Sequence, residues 1–111
     1  MSLPDLRTID HNGRTISYRE AGQGPVALLL HGIGSGSASW EGQLDGLSAH
    51  LRLIAWDAPG YGASDPLPDE TPSSSDYADA AAGLLDSLGI EKIHLVGHSL
   101  GTVIAASFAA R

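Results

Sequence analysis

The sequence predicts an α/β domain with a mostly parallel sheet and an antiparallel hairpin at the N-terminal edge of that sheet. Three observations support this prediction. Apolar runs of strand length alternate with stretches of helical periodicity along most of the chain. The first two extended segments flank Asn12 and Gly13, a pair that favours the tight turn of a hairpin. All three later strand-like runs lead into turns that contain glycine.

The elements of the N-terminal half follow in order. Residues 6–9 and 15–19 are the two predicted strands of the hairpin. Val26–Leu30 is apolar throughout, as expected of a strand that is buried on both faces, and it leads into a glycine loop at residues 31–36. A helix over residues 40–51 is then predicted because apolar residues recur at helical spacing, although two glycines weaken it. These apolar residues are Trp40, Leu44, Leu47 and Leu51.

The C-terminal half contains two further strands, each followed by a turn. Arg52–Trp56 is a predicted strand with a turn-rich loop after it, and residues 65–75 form an exposed connection. Ser73 with Asp76 predicts a capping box for a helix that Gly89 ends. The apolar stripe of that helix consists of Tyr77, Ala80, Ala81, Leu84, Leu85 and Leu88. A strand at residues 93–96, a turn at 97–101 and a helix at 102–110 complete the prediction.

Composition narrows the class of function. Thirteen acidic residues against six basic ones give a net charge of -7, which disfavours binding to nucleic acid and to anionic membranes. No apolar run is long enough to span a bilayer, and the first eight residues lack the features of a signal peptide. The chain has no cysteine, which fits a reducing compartment, so we expect a cytoplasmic protein. Its sequence sets no oligomeric state.

The strand-to-helix turn at residues 97–101 is the strongest chemical signal. It reads G-x-S-x-G, with Ser99 between Gly97 and Gly101 and with His98 and Leu100 beside it. In a nucleophile elbow the turn is so tight that side chains must be absent two residues on either side of the serine. The plainer interpretation is a glycine-rich turn with an ordinary helix-capping serine. The change from an apolar strand to a helix at this point favours the elbow.

A second signal lies in the glycine loop after Val26–Leu30. An acyl-transfer enzyme needs a second backbone N–H aimed at the developing oxyanion. Ile33 is the predicted donor in this loop, and it would act together with the N–H of Leu100. Gly32 and Gly34 would let the backbone approach closely, and His31 would orient the loop.

Three segments together resemble the α/β-hydrolase superfamily. They are His31-Gly32-Ile33-Gly34, Asp57-Ala58-Pro59-Gly60-Tyr61-Gly62-Ala63-Ser64 and Gly97-His98-Ser99-Leu100-Gly101. The resemblance implies a hydrolase with Ser99 as nucleophile, from the branch that acts on small esters, lactones or carbon–carbon bonds. It also implies a small-molecule substrate, no cofactor, and a loop at residues 57–64 that shapes the sheet edge without being catalytic. Members with an aspartate nucleophile, such as epoxide hydrolases, fit less well because Ser99 occupies that position.

The rest of a catalytic triad is missing. In the α/β-hydrolase superfamily the acid and the histidine of the triad follow the nucleophile in the chain, but residues 100–111 contain no Asp, Glu or His. We therefore expect residues 1–111 to be the N-terminal part of a single domain that is truncated after the elbow helix. Such a chain would be inactive alone. It would also associate, because the last strand and helix would lack part of their apolar cover.

Several alternative roles remain at this stage. His98 or His31 could act as the catalytic base. Asp57 could be taken for the triad acid, but it precedes the elbow in the chain, which favours a structural role. The glycine loop could instead cradle a dinucleotide, with Asp57 on a ribose. A non-catalytic or incomplete homologue that binds a ligand is the remaining alternative. No metal site is expected, because the other histidines lack ligand-like spacing: His11, His50 and His94.

Overall fold

The computed structural model describes residues 3–69 and 71–110. The described part of the chain contains five strands and three α-helices, and a short 3-10 helix at Ser37–Trp40 leads into the first α-helix. The strands are β1 (Arg7–His11), β2 (Arg14–Ala21), β3 (Val26–Leu30), β4 (Arg52–Trp56) and β5 (His94–Gly97). The helices are α1 (Glu41–Gly46), α2 (Ser74–Ser87) and α3 (Leu100–Ala109).

The five strands form one mixed sheet in the order β1-β2-β4-β3-β5. The hairpin strands β1 and β2 are antiparallel, and β2 is also antiparallel to β4. β3 lies between β4 and β5 and is parallel to both of them. The carboxyl ends of β3, β4 and β5 therefore meet at one edge of the sheet, where ligands bind in open α/β sheets.

Alternate residues of the central strands supply two cores, one on each face of the sheet. On the first face, Leu28 and Leu30 of β3 pack with residues of α2 and with Ile104 of α3. On the other face, Ala27 and Leu29 of β3 pack with Leu44 of α1. Because successive side chains of a strand point to opposite faces, a continuous apolar run such as Val26–Leu30 is what a doubly covered strand requires.

Most of the predicted elements are confirmed, with boundaries that differ by a few residues. The hairpin turns at Asn12 and Gly13, whose φ values of 53° and 80° suit its two-residue turn. The capping box is present, since the Ser73 hydroxyl accepts from the Asp76 N–H at 3.2 Å and the Asp76 carboxylate accepts from the Ser73 N–H at 2.8 Å. Gly89 follows α2 with a φ of 70°.

The helix predicted over residues 40–51 is wrong in its extent. A 3-10 turn precedes it, and α1 ends at Gly46 after six residues. Leu44 is buried, whereas Leu47 is 44% exposed and lies past the helix end. Two glycines in six residues lower the helix propensity, so the chain turns toward β4 instead of continuing the helix. Glu70 of the predicted connection, and residues 1, 2 and 111 of the predicted domain, lie outside the described residues.

None of the helices within residues 3–69 and 71–110 has the length and apolar character needed to cross a membrane.

Candidate active site

Ser99 lies at the junction of β5 and α3, in a backbone conformation that is rare for a residue with a side chain. Its φ is 56° and its ψ is -117°. Such strained geometry costs on the order of 1–3 kcal/mol and persists only where the surroundings enforce it. Here the turn is held by hydrogen bonds, because the His98 N–H donates to the Leu30 carbonyl at 3.0 Å and the Gly101 N–H donates to the His98 carbonyl at 2.9 Å.

The two glycines of the turn are required by space. A Cβ on Gly97 would lie 2.5 Å from the carbonyl oxygen of Gly101. A Cβ on Gly101 would overlap the carbonyl oxygen of Leu30 in β3. β5 and α3 approach each other and β3 so closely that only hydrogen fits at these positions. The G-x-S-x-G spacing is therefore explained by contacts on both sides of Ser99.

The glycine loop at residues 31–36 lies directly against Ser99, and it is called the oxyanion loop after the role proposed for it below. A Cβ on Gly32 would be 2.9 Å from the Cβ of Ser99, so the backbone of the loop contacts the serine. Gly34 differs from the expectation of close approach, because a Cβ there would meet nothing within 4 Å. Its φ of 76° is the feature that favours glycine at this position.

Two backbone N–H groups beside Ser99 are unpaired within the described part of the chain. Neither the amide of Ile33 nor that of Leu100 donates a hydrogen bond to a described residue. Leu100 is the first residue of α3, where N–H groups have no partner inside the helix. The side chain of Ile33 is 72% exposed, so its part of the loop faces solvent. The hydrogen bonds within the described residues therefore leave both amides unused.

His31 is buried and uses both of its ring nitrogens inside the fold. Its Nε2 accepts a hydrogen bond from the Ala58 N–H at 2.9 Å, which places the ring proton on Nδ1. Nδ1 lies 2.9 Å from the carbonyl oxygen of Gly32 and donates to it. The ring also meets Tyr61 edge-on, at 4.9 Å between centroids. His31 therefore ties the oxyanion loop to the loop after β4, and neither nitrogen is free to accept a proton from Ser99.

Asp57 is also buried, and its carboxylate is engaged by residues of two other elements. Oδ1 accepts from the N–H of Ser37 at 2.7 Å, and Oδ2 accepts from the hydroxyl of Ser17 at 2.6 Å. The hydroxyl of Ser64 donates to the Asp57 carbonyl at 2.6 Å and accepts from the Ser17 N–H at 2.8 Å. Both oxygens of this buried carboxylate are thus engaged inside the fold, which favours the structural role expected for Asp57.

A small depression of about 230 Å³ opens beside the elbow. It is lined by His31, Ser39, Trp40, Gln43 and His98. Trp40 is half-buried and packs against the core on the α1 face. The His98 ring lies against the oxyanion loop, since its Nδ1 would be 3.1 Å from a Cβ on Gly32. The Ser99 hydroxyl makes no hydrogen bond to His98 or to any other described residue.

Comparison with known families assigns this architecture. The family model described as the alpha/beta hydrolase fold matches residues 25–111. The chain belongs to the α/β-hydrolase family. The matched range contains the oxyanion loop, the loop after β4 and the elbow.

Individual relatives of this α/β-hydrolase chain act on different substrates. It is 39% identical over 98 residues to a 2-hydroxy-6-oxo-6-phenylhexa-2,4-dienoate hydrolase of Comamonas testosteroni, covering 85% of this chain and 34% of the relative. It superimposes with a TM-score of 0.88 on an epoxide hydrolase of Vigna radiata, at 30% identity over 96% of this chain and 35% of that one. It matches the N-acyl homoserine lactonase AidH with the same TM-score, at 33% identity over 96% and 40% of the two chains.

The chain thus spans about a third of the length of the relatives it matches. Because the lactonase and the epoxide hydrolase superimpose equally well, the fold alone does not distinguish their chemistries. The dienoate hydrolase, the epoxide hydrolase and the lactonase are all hydrolases by name.

The structure brings most of the predicted site residues of this α/β-hydrolase chain together. The two loops that carry them meet at the carboxyl edge of the sheet, and the residues are His31, Gly32, Ile33, Gly97, His98, Ser99, Leu100 and Gly101. Three serines that donate hydrogen bonds to Asp57 were not predicted from the sequence: Ser17, Ser37 and Ser64. Only Ser64 lay in a recognised segment, because isolated serines on a strand or beside a loop show no pattern.

Proposed function

We propose that this chain carries the nucleophile and the oxyanion hole of a serine hydrolase. The observation that supports this most directly is the strained backbone of Ser99 beside the unpaired amides of Ile33 and Leu100. A plain helix-capping serine would not need a positive φ, and its side chain would accept a hydrogen bond from the first turn. Ser99 makes no such capping bond. The strain is therefore better explained by presentation of the hydroxyl to a substrate.

The proposed reaction is acyl transfer through a covalent intermediate. The Oγ of Ser99 attacks a carbonyl carbon, and the carbonyl oxygen becomes an oxyanion that accepts from the Ile33 and Leu100 N–H groups. The N-terminus of α3 adds a favourable partial positive charge. A histidine must take the serine proton and deliver it to the leaving group, and a carboxylate must orient that histidine. We propose that both are encoded after residue 111, in the order usual for this fold.

The proposed substrate is a small molecule with an ester, a lactone or a cleavable carbon–carbon bond next to a carbonyl. The dienoate hydrolase and the lactonase among the similar proteins support this range by their names. An epoxide is not the proposed substrate. By the resemblance to the family, members that open epoxides use an aspartate nucleophile, and this chain has Ser99 at that position. We propose that the activity is cytoplasmic, because a chain without cysteine fits a reducing compartment.

The test uses the protein expressed from its complete reading frame. A panel of small esters, lactones and vinylogous 1,5-diketones is assayed with the parent protein and with the Ser99→Ala variant. We expect the substitution to lower kcat by at least about 10⁴-fold, since loss of a nucleophile removes the whole covalent route. Ser75→Ala, an exposed serine of α2, is the matched control and should keep the parent rate.

The result that would contradict the proposal is a folded Ser99→Ala variant that hydrolyses a substrate at the parent rate. A His98→Ala variant tests the alternative base. We expect it to retain activity within about tenfold, because a histidine that acted as base would cost several orders of magnitude when removed.

A further inference from the structure

Both ends of the oxyanion loop are fixed by two adjacent residues that follow β4. At the start of the loop, the Ala58 N–H donates to Nε2 of His31 at 2.9 Å. At its end, the Ser37 N–H donates to Oδ1 of Asp57 at 2.7 Å. Ile33 lies between these two attachment points, and its own amide makes no hydrogen bond within the described residues. The Arg19 Nε–H also donates to the Ser37 hydroxyl at 3.1 Å, and within the loop the Ser35 N–H donates to the Gly32 carbonyl at 3.2 Å. The position of the Ile33 amide therefore depends in part on where residues 57 and 58 hold the loop.

The side chain of Asp57 is itself held in one place. The Ser17 hydroxyl of β2 donates to Oδ2 at 2.6 Å, and Ser17 is fully buried. Two glycines leave room for the carboxylate: a Cβ on Gly62 would lie 2.5 Å from its Cγ, and a Cβ on Gly36 would lie 3.0 Å from Oδ1. The fold thus reserves a closely fitted site for a carboxylate at this position.

We propose that Asp57 is a positioning residue for the oxyanion hole, acting through the Ser37 N–H on the amide of Ile33. This inference rests on the proposed function, because it assigns a catalytic consequence to a residue that touches neither the substrate nor Ser99. It goes beyond the structural role expected from the sequence. A merely structural Asp57 would affect folding alone, whereas a positioning Asp57 affects the stabilisation of the transition state in every folded molecule.

The size of the expected effect follows from what each group does. Removing an oxyanion-hole donor outright costs about 10²–10³ in kcat. Loosening one end of the loop leaves the Ile33 donor in place but displaces it, and small misplacements near a reacting centre cost up to about 10²-fold. We therefore expect a loss between about 10-fold and 100-fold when the Asp57 carboxylate is removed. Binding of the ground-state substrate should change much less.

The experiment compares Asp57→Ala with Asp57→Asn in the protein expressed from its complete reading frame. Rates on a small ester are normalised to the number of Ser99 sites titrated with a fluorophosphonate. The inhibition constant of a trifluoromethyl ketone, whose adduct places an oxyanion in the hole, is measured beside kcat and KM. An irreversibly misfolded fraction leaves this constant unchanged, and a fraction that unfolds reversibly raises it only by 1/f, where f is the folded fraction. A rise of about 10-fold or more therefore exceeds what unfolding causes in a variant that is more than about nine-tenths folded.

For Asp57→Ala we expect the inhibition constant to rise and kcat per titrated site to fall by similar factors of about 10- to 100-fold. KM should stay within about threefold. Asp57→Asn should recover to within about fivefold of the parent, because an amide oxygen can still accept from the Ser37 N–H. Asp65→Ala is the matched control. Asp65 directly follows the loop at residues 57–64, and its carboxylate accepts from the Thr15 N–H at 2.8 Å and makes no hydrogen bond to the oxyanion loop.

Ser17→Ala extends the test to a variant that keeps Asp57 and removes one of its donors. If Asp57→Ala does not fold, a rise of about threefold or more in the inhibition constant of Ser17→Ala supports the inference, and an unchanged constant overturns it. An Asp57→Ala enzyme that folds and binds the ketone as the parent does overturns it as well. If the parent protein neither reacts with the fluorophosphonate nor hydrolyses esters, the proposed function itself fails, and this inference fails with it.

Discussion

At the scale of single residues, close packing explains the sequence around Ser99. β5, α3 and β3 approach so closely that the chain tolerates no Cβ two residues before or two residues after the serine. The serine itself takes the positive φ that such a tight turn requires. This combination is why the pentapeptide predicted the position of the elbow, although glycine and serine are frequent in the chain.

The space around these glycines gives a first prediction. Gly101→Ala should destabilise the protein by about 1–3 kcal/mol or more, because the added methyl group overlaps the Leu30 carbonyl oxygen and the backbone must move. Gly42→Ala in α1 is the matched control, since a Cβ there meets nothing within 4 Å. It should be neutral or stabilise by up to about 1 kcal/mol. Urea unfolding measures both, and equal midpoints for the two variants would show that the overlap is relieved without cost.

Other features of the site could not be predicted from the sequence. Ser17 and Asp57 are forty residues apart along the chain and meet only because β2 pairs with β4. The hydrogen bonds of His31 likewise depend on a loop that follows a different strand. Motifs report contacts between near neighbours along the chain, whereas these contacts are set by the order of strands in the sheet.

At the scale of elements, local chemistry predicted most helix and strand positions. The asparagine–glycine turn, the capping box and the glycine after α2 are decided by a few consecutive residues, and all three were confirmed. The helix after the oxyanion loop was predicted too long because its apolar spacing continued past Gly46. There the low helix propensity of glycine and the approach to β4 outweighed the periodicity.

The capping box gives a prediction at this scale. Ser73→Ala removes the hydroxyl that accepts from the Asp76 N–H and should lower the free energy of unfolding by about 1 kcal/mol. Ser75 lies two residues further along the chain and is exposed. Ser75→Ala keeps both hydrogen bonds of the capping box and should change the free energy of unfolding by less than about 0.5 kcal/mol. Chemical denaturation of the two variants checks the difference. A cost for Ser75→Ala as large as that for Ser73→Ala would contradict the assignment of the cap.

At the scale of the whole molecule, the sheet has two different edges in the described residues. β1 ends one side as the outer strand of a hairpin. β5 ends the other side with only β3 as neighbour, and the apolar side chains of Val96 and Val103 near it are 41% and 55% exposed. An open groove of about 730 Å³ runs beside this edge and is lined in part by Leu95 and Phe108. An uncovered edge of this kind favours association.

The 111-residue chain expressed alone should therefore self-associate through the β5 edge. Val96→Lys should shift it toward the monomer in sedimentation experiments, because a charge on an edge strand opposes pairing. Leu47→Lys is the matched control, because it adds the same charge and Leu47 is 44% exposed. Leu47 lies at the end of α1, away from the β5 edge. This variant should leave association unchanged. Equal effects of the two lysines, or a monomeric parent chain, would contradict this account of the edge.

Reaction with a fluorophosphonate tests whether Ser99 is the nucleophile. The protein expressed from its complete reading frame is treated with the reagent, and the adduct is located by peptide mass spectrometry. We predict one adduct per chain, on the peptide that contains Ser99, and none in the folded Ser99→Ala variant. If the folded parent protein stays unmodified, or is modified at another serine, Ser99 is not the nucleophile.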